Sequence, residues 1–349
     1  MKIFCYDDDP RLKSEGESYY QNMGSFGQIL WNLNKELKKT NILGDENDTD
    51  AVVFSSGLKW EFGFEDKIRL LINVWECNIL PHVLINFRKR LENERYIVCG
   101  LSKQIADVWS NYGFPTKTID IGCDTEFWCP QQQIKKFDDF TILSNICLNF
   151  RSGIQHVLQA YMSLWADDKS VRLIIKNTDD RAKKIPIFVE KMKKKGMNVE
   201  YICKRMDLTE MRELITKCHV LTYCPNNTSA GLCIPEASAM EIPVITCDYC
   251  PTNLYPSCEK VMVSRMELGQ FKEIVSNYWG LPVNFPDGWI DERLAYINWL
   301  DGADFYEKLS KIKNNYDFYA QKAKVCRQEV IDNWSWKHSL NQLLDALEK

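Results

Sequence analysis

Short apolar, β-rich runs alternate with amphipathic helical patterns along the whole chain, and this alternation constrains the fold more than any other feature. The first half carries KIFCY from Lys2, AVVFSS from Ala51, IRLLINVW from Ile68, RYIVCG from Arg95 and TKTIDIG from Thr116. Between them Phe26, Ile29, Leu30, Leu33 and Leu37 fall at helical spacing, as do Ile105, Val108, Trp109 and Tyr112, with Ser102 as N-cap and Gly113 as the stop. After Pro130 the polar stretch QQQIKKFDD is the best linker. The alternation then restarts with FTILSNI from Phe140, VRLIIK from Val171, VEYIC from Val199, HVLTYC from His219, PVITC from Pro243 and KVMVS from Lys260. Asp207 and Glu210 form a capping pair for a helix whose stripe is Met211, Leu214, Ile215 and Cys218. Nearly continuous apolar runs suit parallel strands buried on both faces. Two successive βαβ series predict an α/β chain of two doubly wound, Rossmann-like domains facing across a cleft, 1–131 and 132–320, with helices over 321–349. The last helix carries Trp336, Leu340, Leu343, Leu344 and Leu347 on one face.

With 349 residues, 45% hydrophobic and 26% charged, the chain is long enough for two globular domains and too apolar for disorder. Its 44 basic and 48 acidic side chains leave a net charge of −4, which gives no overall pull toward nucleic acid or an anionic membrane. No apolar run approaches the ~18 residues of a membrane span. The start, MKIFCYDDDP, is no signal peptide, so a cytoplasmic location is expected. Of the 14 Cys, Cys5, Cys99, Cys147, Cys203 and Cys224 lie in apolar strand-like runs and are read as small core hydrophobes. Cys247 and Cys250 form a CxxC with Cys258 downstream, but no second ligand pair follows, so no metal is expected. The lysines 191 and 193–195 of KMKKKG are a solvated helix end. Arg88-Lys89-Arg90 is read the same way, with membrane or acceptor contact as the lesser reading.

Open α/β sheets bind ligands beyond the carboxyl ends of their strands, which nominates specific residues. Gly24-Ser-Phe-Gly27 lies between the first strand and the first helix, where two glycines let backbone N–H groups approach an anion; the alternative is a plain turn. It is not a GxGxxG dinucleotide fingerprint. Arg151 and Gly153 follow the FTILSNI strand, and Lys176 ends VRLIIK. Adjacent parallel strands would bring both cations to one rim, as a diphosphate leaving group requires; otherwise they are two surface charges. The segment from Thr228 through Ser229, Ala230, Gly231 and Leu232 to Glu236 runs from a strand end into a short helix that begins near Pro235. Glu236 in that first turn is expected to stay ionised and to accept from ribose hydroxyls, against plain helix-start chemistry.

GLCIPEASAMEIPVI resembles the signature of GT-B glycosyltransferases of the retaining family-four type, in which Gly231, Leu232, Glu236, Ala237, Ala239, Pro243, Val244 and Ile245 match. Other segments agree in order: the Gly24–Gly27 loop, VWECNILP from Val74, GCDTEFWCP from Gly122, NFRSG, LIIK, and NWSWKHS around Trp334 and Trp336. The resemblance implies a GT-B fold, with a shortened acceptor-side N-terminal domain, a nucleotide-sugar donor-side C-terminal domain, and a last helix that crosses back to the first. It implies transfer of a sugar from a nucleotide diphosphate sugar to an acceptor hydroxyl with retention, without a metal or other cofactor, in carbohydrate biosynthesis. It assigns Gly24, Gly27, Arg151, Lys176, Ser229, Ala230, Gly231, Leu232 and Glu236 to the donor. The acceptor would be a carbohydrate, a lipid-linked group or a protein, with peripheral membrane contact and no nucleic acid as partner.

Two departures stand against the family pattern. Thr228 occupies the place of its first Glu, so a hydroxyl replaces a carboxylate at the donor sugar. The N-terminal half is short, and none of His82, His156, His219 and His338 fits the family's N-terminal His. Glu76, at a strand end, is then the catalytic candidate of that half beside Thr228, against a structural carboxylate. Two rivals follow: a non-catalytic nucleotide-sugar-binding protein, and a sugar-nucleotide epimerase of the same fold, whose His- and Asp-rich pattern is not seen.

Overall fold

The computed structural model describes residues 1–6, 25–45, 47–55, 64, 66–73, 80, 85, 88, 95–145, 151–178, 184–228, 230–249, 251–257, 259–279 and 295–348. His82, Lys89, Arg90, Cys147, Cys250 and Cys258 lie outside these. The chain divides into two compact units, Met1–Asp124 with Asn333–Lys349, and Thr125–Asp332.

The first unit holds a parallel sheet of β1 (Ile3–Tyr6), β2 (Ala51–Ser55), β3 (Ile68–Asn73), β4 (Tyr96–Gly100) and β5 (Thr116–Thr118), side by side in chain order. The strands follow the apolar runs because β-branched and aromatic side chains pack on both faces of a pleated sheet. The outer edge of β1 is covered by the chain at Ile42–Gly44, where Ile3 N donates to Ile42 O and Gly44 N to Ile3 O. Helices α1 (Ser25–Lys39) and α2 (Lys103–Asn111) form where the helical spacing predicts. Ser102 caps α2 by accepting from Ile105 N, and Gly113, at φ +78°, ends its turn.

The second unit carries six parallel strands, β6 (Phe140–Asn145), β7 (Val171–Asn177), β8 (Val199–Cys203), β9 (Val220–Tyr223), β10 (Val244–Cys247) and β11 (Glu259–Val261), in the order β11-β10-β9-β6-β7-β8. Strand order therefore reverses between β6 and β9. Helices α3 (Ile154–Trp165), α4 (Lys184–Lys194), α5 (Leu208–Lys217) and α6 (Cys233–Ala239) connect these strands. Asp207 and Glu210 form the expected capping box on α5. The KVMVS run is not one strand. It breaks at Met262, after which β12 (Val263–Glu267) leaves the main sheet and pairs antiparallel with β13 (Tyr296–Leu300), with α7 (Leu268–Trp279) following β12. Helix α8 (Gly302–Asn314) is capped by Asp301 and is followed by α9 (Tyr316–Asn333). No helix among the described residues is long and apolar enough to cross a membrane.

Three expectations need correction. The linker QQQIKKFDD is tied to the second unit: Lys136 Nζ donates to Cys218 O at 2.6 Å and Phe137 N to Lys217 O at 2.9 Å. Phe127 joins that unit as well, because the Arg212 guanidinium lies over its ring and donates to its carbonyl at 3.0 Å. At the other end, residues 321–332 belong to α9 and stay with the second unit, so the return to the first begins at Asn333 and not at 321. Finally, Cys5, Cys99 and Cys224 are buried as expected, but Cys203 is exposed, because β8 is an edge strand and Cys203 is its last residue.

The returning helix α10 (Trp336–Leu347) packs on α1 with Trp336, Leu340 and Leu343 buried. Its polar flank grips the chain before Cys123. Gln342 Oε1 accepts from Asp120 N at 2.7 Å, its Nε2 donates to Asp120 Oδ2 at 2.8 Å, and Ser339 Oγ donates to Asp120 O at 2.6 Å. Cys123 N donates to Trp334 O at 2.7 Å, and a Cβ on Gly122 would stand 2.5 Å from Trp336 N. Only glycine lets these two backbones meet. Gly122→Ala should therefore cost about 1–3 kcal/mol, the range for overpacking, as read by chemical denaturation of the full chain. An unchanged midpoint would show that this contact does not hold the helix.

Candidate functional site

The reversal between β6 and β9 is the place where an open parallel sheet leaves a crevice beyond its strand ends. Two loops flank it. The one after β6 contains Arg151, Ser152 and Gly153; the one after β9 runs from Cys224 to Leu232 and opens α6. Gly153 takes φ +64°, and a Cβ there would lie 1.9 Å from Cys224 O. Asn226 N donates to Arg151 O at 2.8 Å. The two loops are thus joined backbone to backbone. The Pro225 carbonyl accepts from Tyr249 Oη at 3.1 Å and from Cys247 Sγ at 3.2 Å, which ties the second loop to β10 and the turn after it.

Arg151 is partly buried, and Tyr223 and Tyr249 are its electrostatic neighbours. Burial lowers its guanidinium to about 10, which leaves it a cation at neutral pH. Lys176, the other expected cation, stands opposite Asn145 in the β6–β7 register and is only 3% exposed, so it is not a solvated surface charge. The Glu210 carboxyl on α5 is held low chiefly by its hydrogen bond from Lys204 and by the Asp207 backbone N–H, with Lys176 adding the smallest contribution. Arg151 has its electrostatic neighbours elsewhere, on β9 and just after β10.

Thr228 is partly buried, and its Oγ1 lies 3.2 Å from Tyr223 Oη. Ala230 and Gly231 are buried, and Gly231, at φ +78°, has room for no easy Cβ: one would meet Tyr223 Cε1 and Ile234 Cδ1 at 3.1 Å. Leu232 is the N-cap of α6, which starts at Cys233. Pro235 is then the third helical residue and not the first, a position where its missing N–H is still no loss. Glu236 is in the first turn, but burial pushes its carboxyl up to about 8. The expectation that it stays ionised is corrected: loss of water outweighs the helix N-terminus. Gly27 lies within α1 and not in a loop before it. Gly24, Glu76 and Ser229 lie outside the described residues.

Several site residues were missed in the sequence. Tyr223 ends β9, Asn226 and Asn227 lie in the loop that follows it, and Tyr249 enters from the turn after β10; the Asn226-Asn227 pair shortly after a strand end was their one local signal. In the first turn of α3, Gln155 and His156 are buried. Among the described residues neither Gln155 amide atom, neither Asn226 amide atom, nor His156 Nε2 has a hydrogen-bond partner. Burial also lowers His156 to about 4, so it is neutral at physiological pH. Among the described residues no group of three or more His, Cys, Asp or Glu is placed to hold a metal.

No protein-family model and no curated protein sequence matches the chain. Solved structures do. HepE from Anabaena, in complex with UDP and glucose, aligns with a TM-score of 0.63 at 11% identity, covering 99% of this chain and 91% of that one. A glycosyltransferase from Rickettsia africae aligns with a TM-score of 0.58 at 13% identity over 98% and 96%. A sucrose-phosphate synthase from Thermosynechococcus elongatus gives 0.58 at 13% over 93% and 78%. The chain thus has the GT-B fold that its sequence motifs imply, with two Rossmann-like units.

Glu236 makes stability depend on pH. Its folded value of about 8 exceeds the ordinary 4.5, so between these values the folded chain keeps a proton that the unfolded chain releases. Its carboxyl therefore lowers stability as pH rises through that window, with the full penalty above 8. Glu236→Gln should melt at the parent's temperature near pH 4.5 and progressively above it toward pH 8. A constant gap between the two melting curves would mean that Glu236 is ionised throughout.

Proposed function

We propose that the protein is a retaining hexosyltransferase that moves a sugar from a nucleoside diphosphate sugar to an acceptor hydroxyl. The observation that carries this reading is the joining of the Arg151–Gly153 and Cys224–Leu232 loops across the strand-order reversal of the second unit. A cation, a hydroxyl and a helix first turn on or just beyond these two loops would suit a diphosphate, a sugar and a ribose. HepE, of the same fold, is solved with UDP-glucose, which makes UDP-glucose the first donor to test.

In this reading the bond from the sugar's anomeric carbon to the diphosphate oxygen breaks, and the negative charge that gathers on that oxygen is stabilised by Arg151 and Lys176. A new bond forms from the anomeric carbon to the acceptor oxygen on the same face. The acceptor proton passes to the leaving phosphate oxygen, so no side-chain base is needed. Glu236, carrying its proton at neutral pH, can both give and take a hydrogen bond at the ribose. Thr228 offers the sugar a neutral hydroxyl whose direction is set by Tyr223. Backbone amides of Ala230 and Gly231 complete the donor side, and the first unit would receive a carbohydrate, lipid-linked or protein acceptor. The Thr228 departure also fits a binding protein without turnover, and sugar transfer distinguishes the two.

Thermal melting with UDP-glucose, UDP-N-acetylglucosamine and GDP-mannose tests the donor class, because a ligand of the native state raises its stability. No shift with any of the three overturns the reading. Arg151→Ala and Lys176→Ala should each weaken UDP binding by about 1.5–3 kcal/mol, the range for hydrogen bonds to charged groups. Calorimetry that finds parental affinity in both would make them bystanders. Thr228→Val should slow transfer while UDP affinity stays near the parent's, since the hydroxyl acts on the sugar and not on the nucleotide.

A further inference from the structure

We propose that Asn298, on β13, is a positioning residue for the loop that carries Thr228. The proposal rests on the nucleotide-sugar reading and extends it to an element outside every motif of the donor site. Asn298 lies 71 residues beyond Asn227, yet its side-chain Nδ2 donates to Asn227 Oδ1 at 2.7 Å. Its backbone N–H donates to the same Oδ1 at 3.3 Å and to Asn226 O at 3.2 Å. Asn298 and Asn227 are both 6% exposed and Asn226 is 1% exposed, so water does not compete for these bonds.

The peptide groups of Asn226 are therefore held on two sides. Its N–H is bound by Arg151 O after β6, and its carbonyl by Asn298 on β13. Asn227 is gripped through its side chain, and Thr228 follows directly. The neighbouring β13 residue, Trp299, meets the His156 ring edge-on at 4.6 Å in the first turn of α3, and Phe271 of α7 backs Trp299 at 5.8 Å. One edge strand thus braces both segments that flank the strand-order reversal. Apolar packing alone would hold the loop close without fixing its rotation. The amide–amide bond is directional, so it orients the backbone that carries Thr228, whose hydroxyl then meets Tyr223.

Calorimetry with UDP-glucose and with UDP, on the full chain and on Asn298→Leu and Asn298→Asp, tests this. Asn298→Leu should weaken UDP-glucose about tenfold, the worth of one net hydrogen bond, and leave UDP within about twofold. In Asn298→Asp the introduced carboxylate faces Asn227 Oδ1 at neutral pH, and on protonation it regains a donor. Its UDP-glucose affinity relative to the parent should then recover as pH falls, the parent's own profile accounting for Glu236. A brace that only stabilises would lower the melting temperature and leave this ratio flat. Parental UDP-glucose affinity in both variants, an equal loss for UDP, or no pH recovery overturns the proposal. Should Asn298→Leu not fold, the pH series on Asn298→Asp decides alone. A parent that binds neither UDP-glucose nor UDP overturns the nucleotide-sugar reading itself, and the positioning role with it.

Discussion

The second unit depends on one contact, the approach of Gly153 to the Cys224 carbonyl. Parallel strands on either side of an order reversal send their connections away in opposite directions, which leaves the space above β6 and β9 open. A side chain at position 153 would hold the loops apart, since its Cβ would lie 1.9 Å from Cys224 O. Glycine, in its left-handed conformation, lets the Arg151 carbonyl accept from Asn226 N. The same loop then carries the Pro225 carbonyl under Tyr249, the Thr228 hydroxyl at Tyr223 and, beyond them, the α6 first turn with Glu236.

What was legible in the sequence is what local chemistry decides. Ser102, Gly113 and the Asp207–Glu210 pair act within a few residues of themselves, and each does in the structure what its spacing implies. The β-rich runs are likewise self-announcing, because a strand buried on both faces must be apolar throughout. The misreadings share a different cause. Cys203 sits in an apolar run, but it ends an edge strand, and edges are set by the order of the whole sheet. KVMVS looks continuous, and only its partner β13, beyond α7, draws its second half out of the main sheet. The QQQIKKFDD stretch is polar like a linker, yet Lys136 and Phe137 bind the end of α5, about eighty residues on.

The candidate site was nominated in the same uneven way. The rule for open parallel sheets pointed to Arg151, Lys176 and the Thr228–Glu236 segment from strand ends alone. It said nothing of Asn298, whose partners are joined to it only by tertiary folding, nor of Tyr249, which enters from the turn after β10. Glu236 shows the limit most clearly. A carboxylate in a helix first turn is a sound local expectation of low pKa. Burial acts in the opposite sense and prevails, and burial is a property of the folded unit.

These protonation states give the crevice a definite charge. At neutral pH Arg151 remains a cation, since burial lowers it only to about 10. Glu236 holds its proton below about 8, and Thr228 brings no charge at the place where the glycosyltransferase pattern that the sequence resembles has Glu. The β6 and β9 loops thus offer a dianionic group a cation without an opposing anion from either of these two positions. Binding such a group would add negative charge beside Glu236 and hold its proton more firmly. In the proposed reading Thr228 and the half-buried carboxyl of Glu236 therefore act in one direction: both would keep negative charge away from a bound diphosphate.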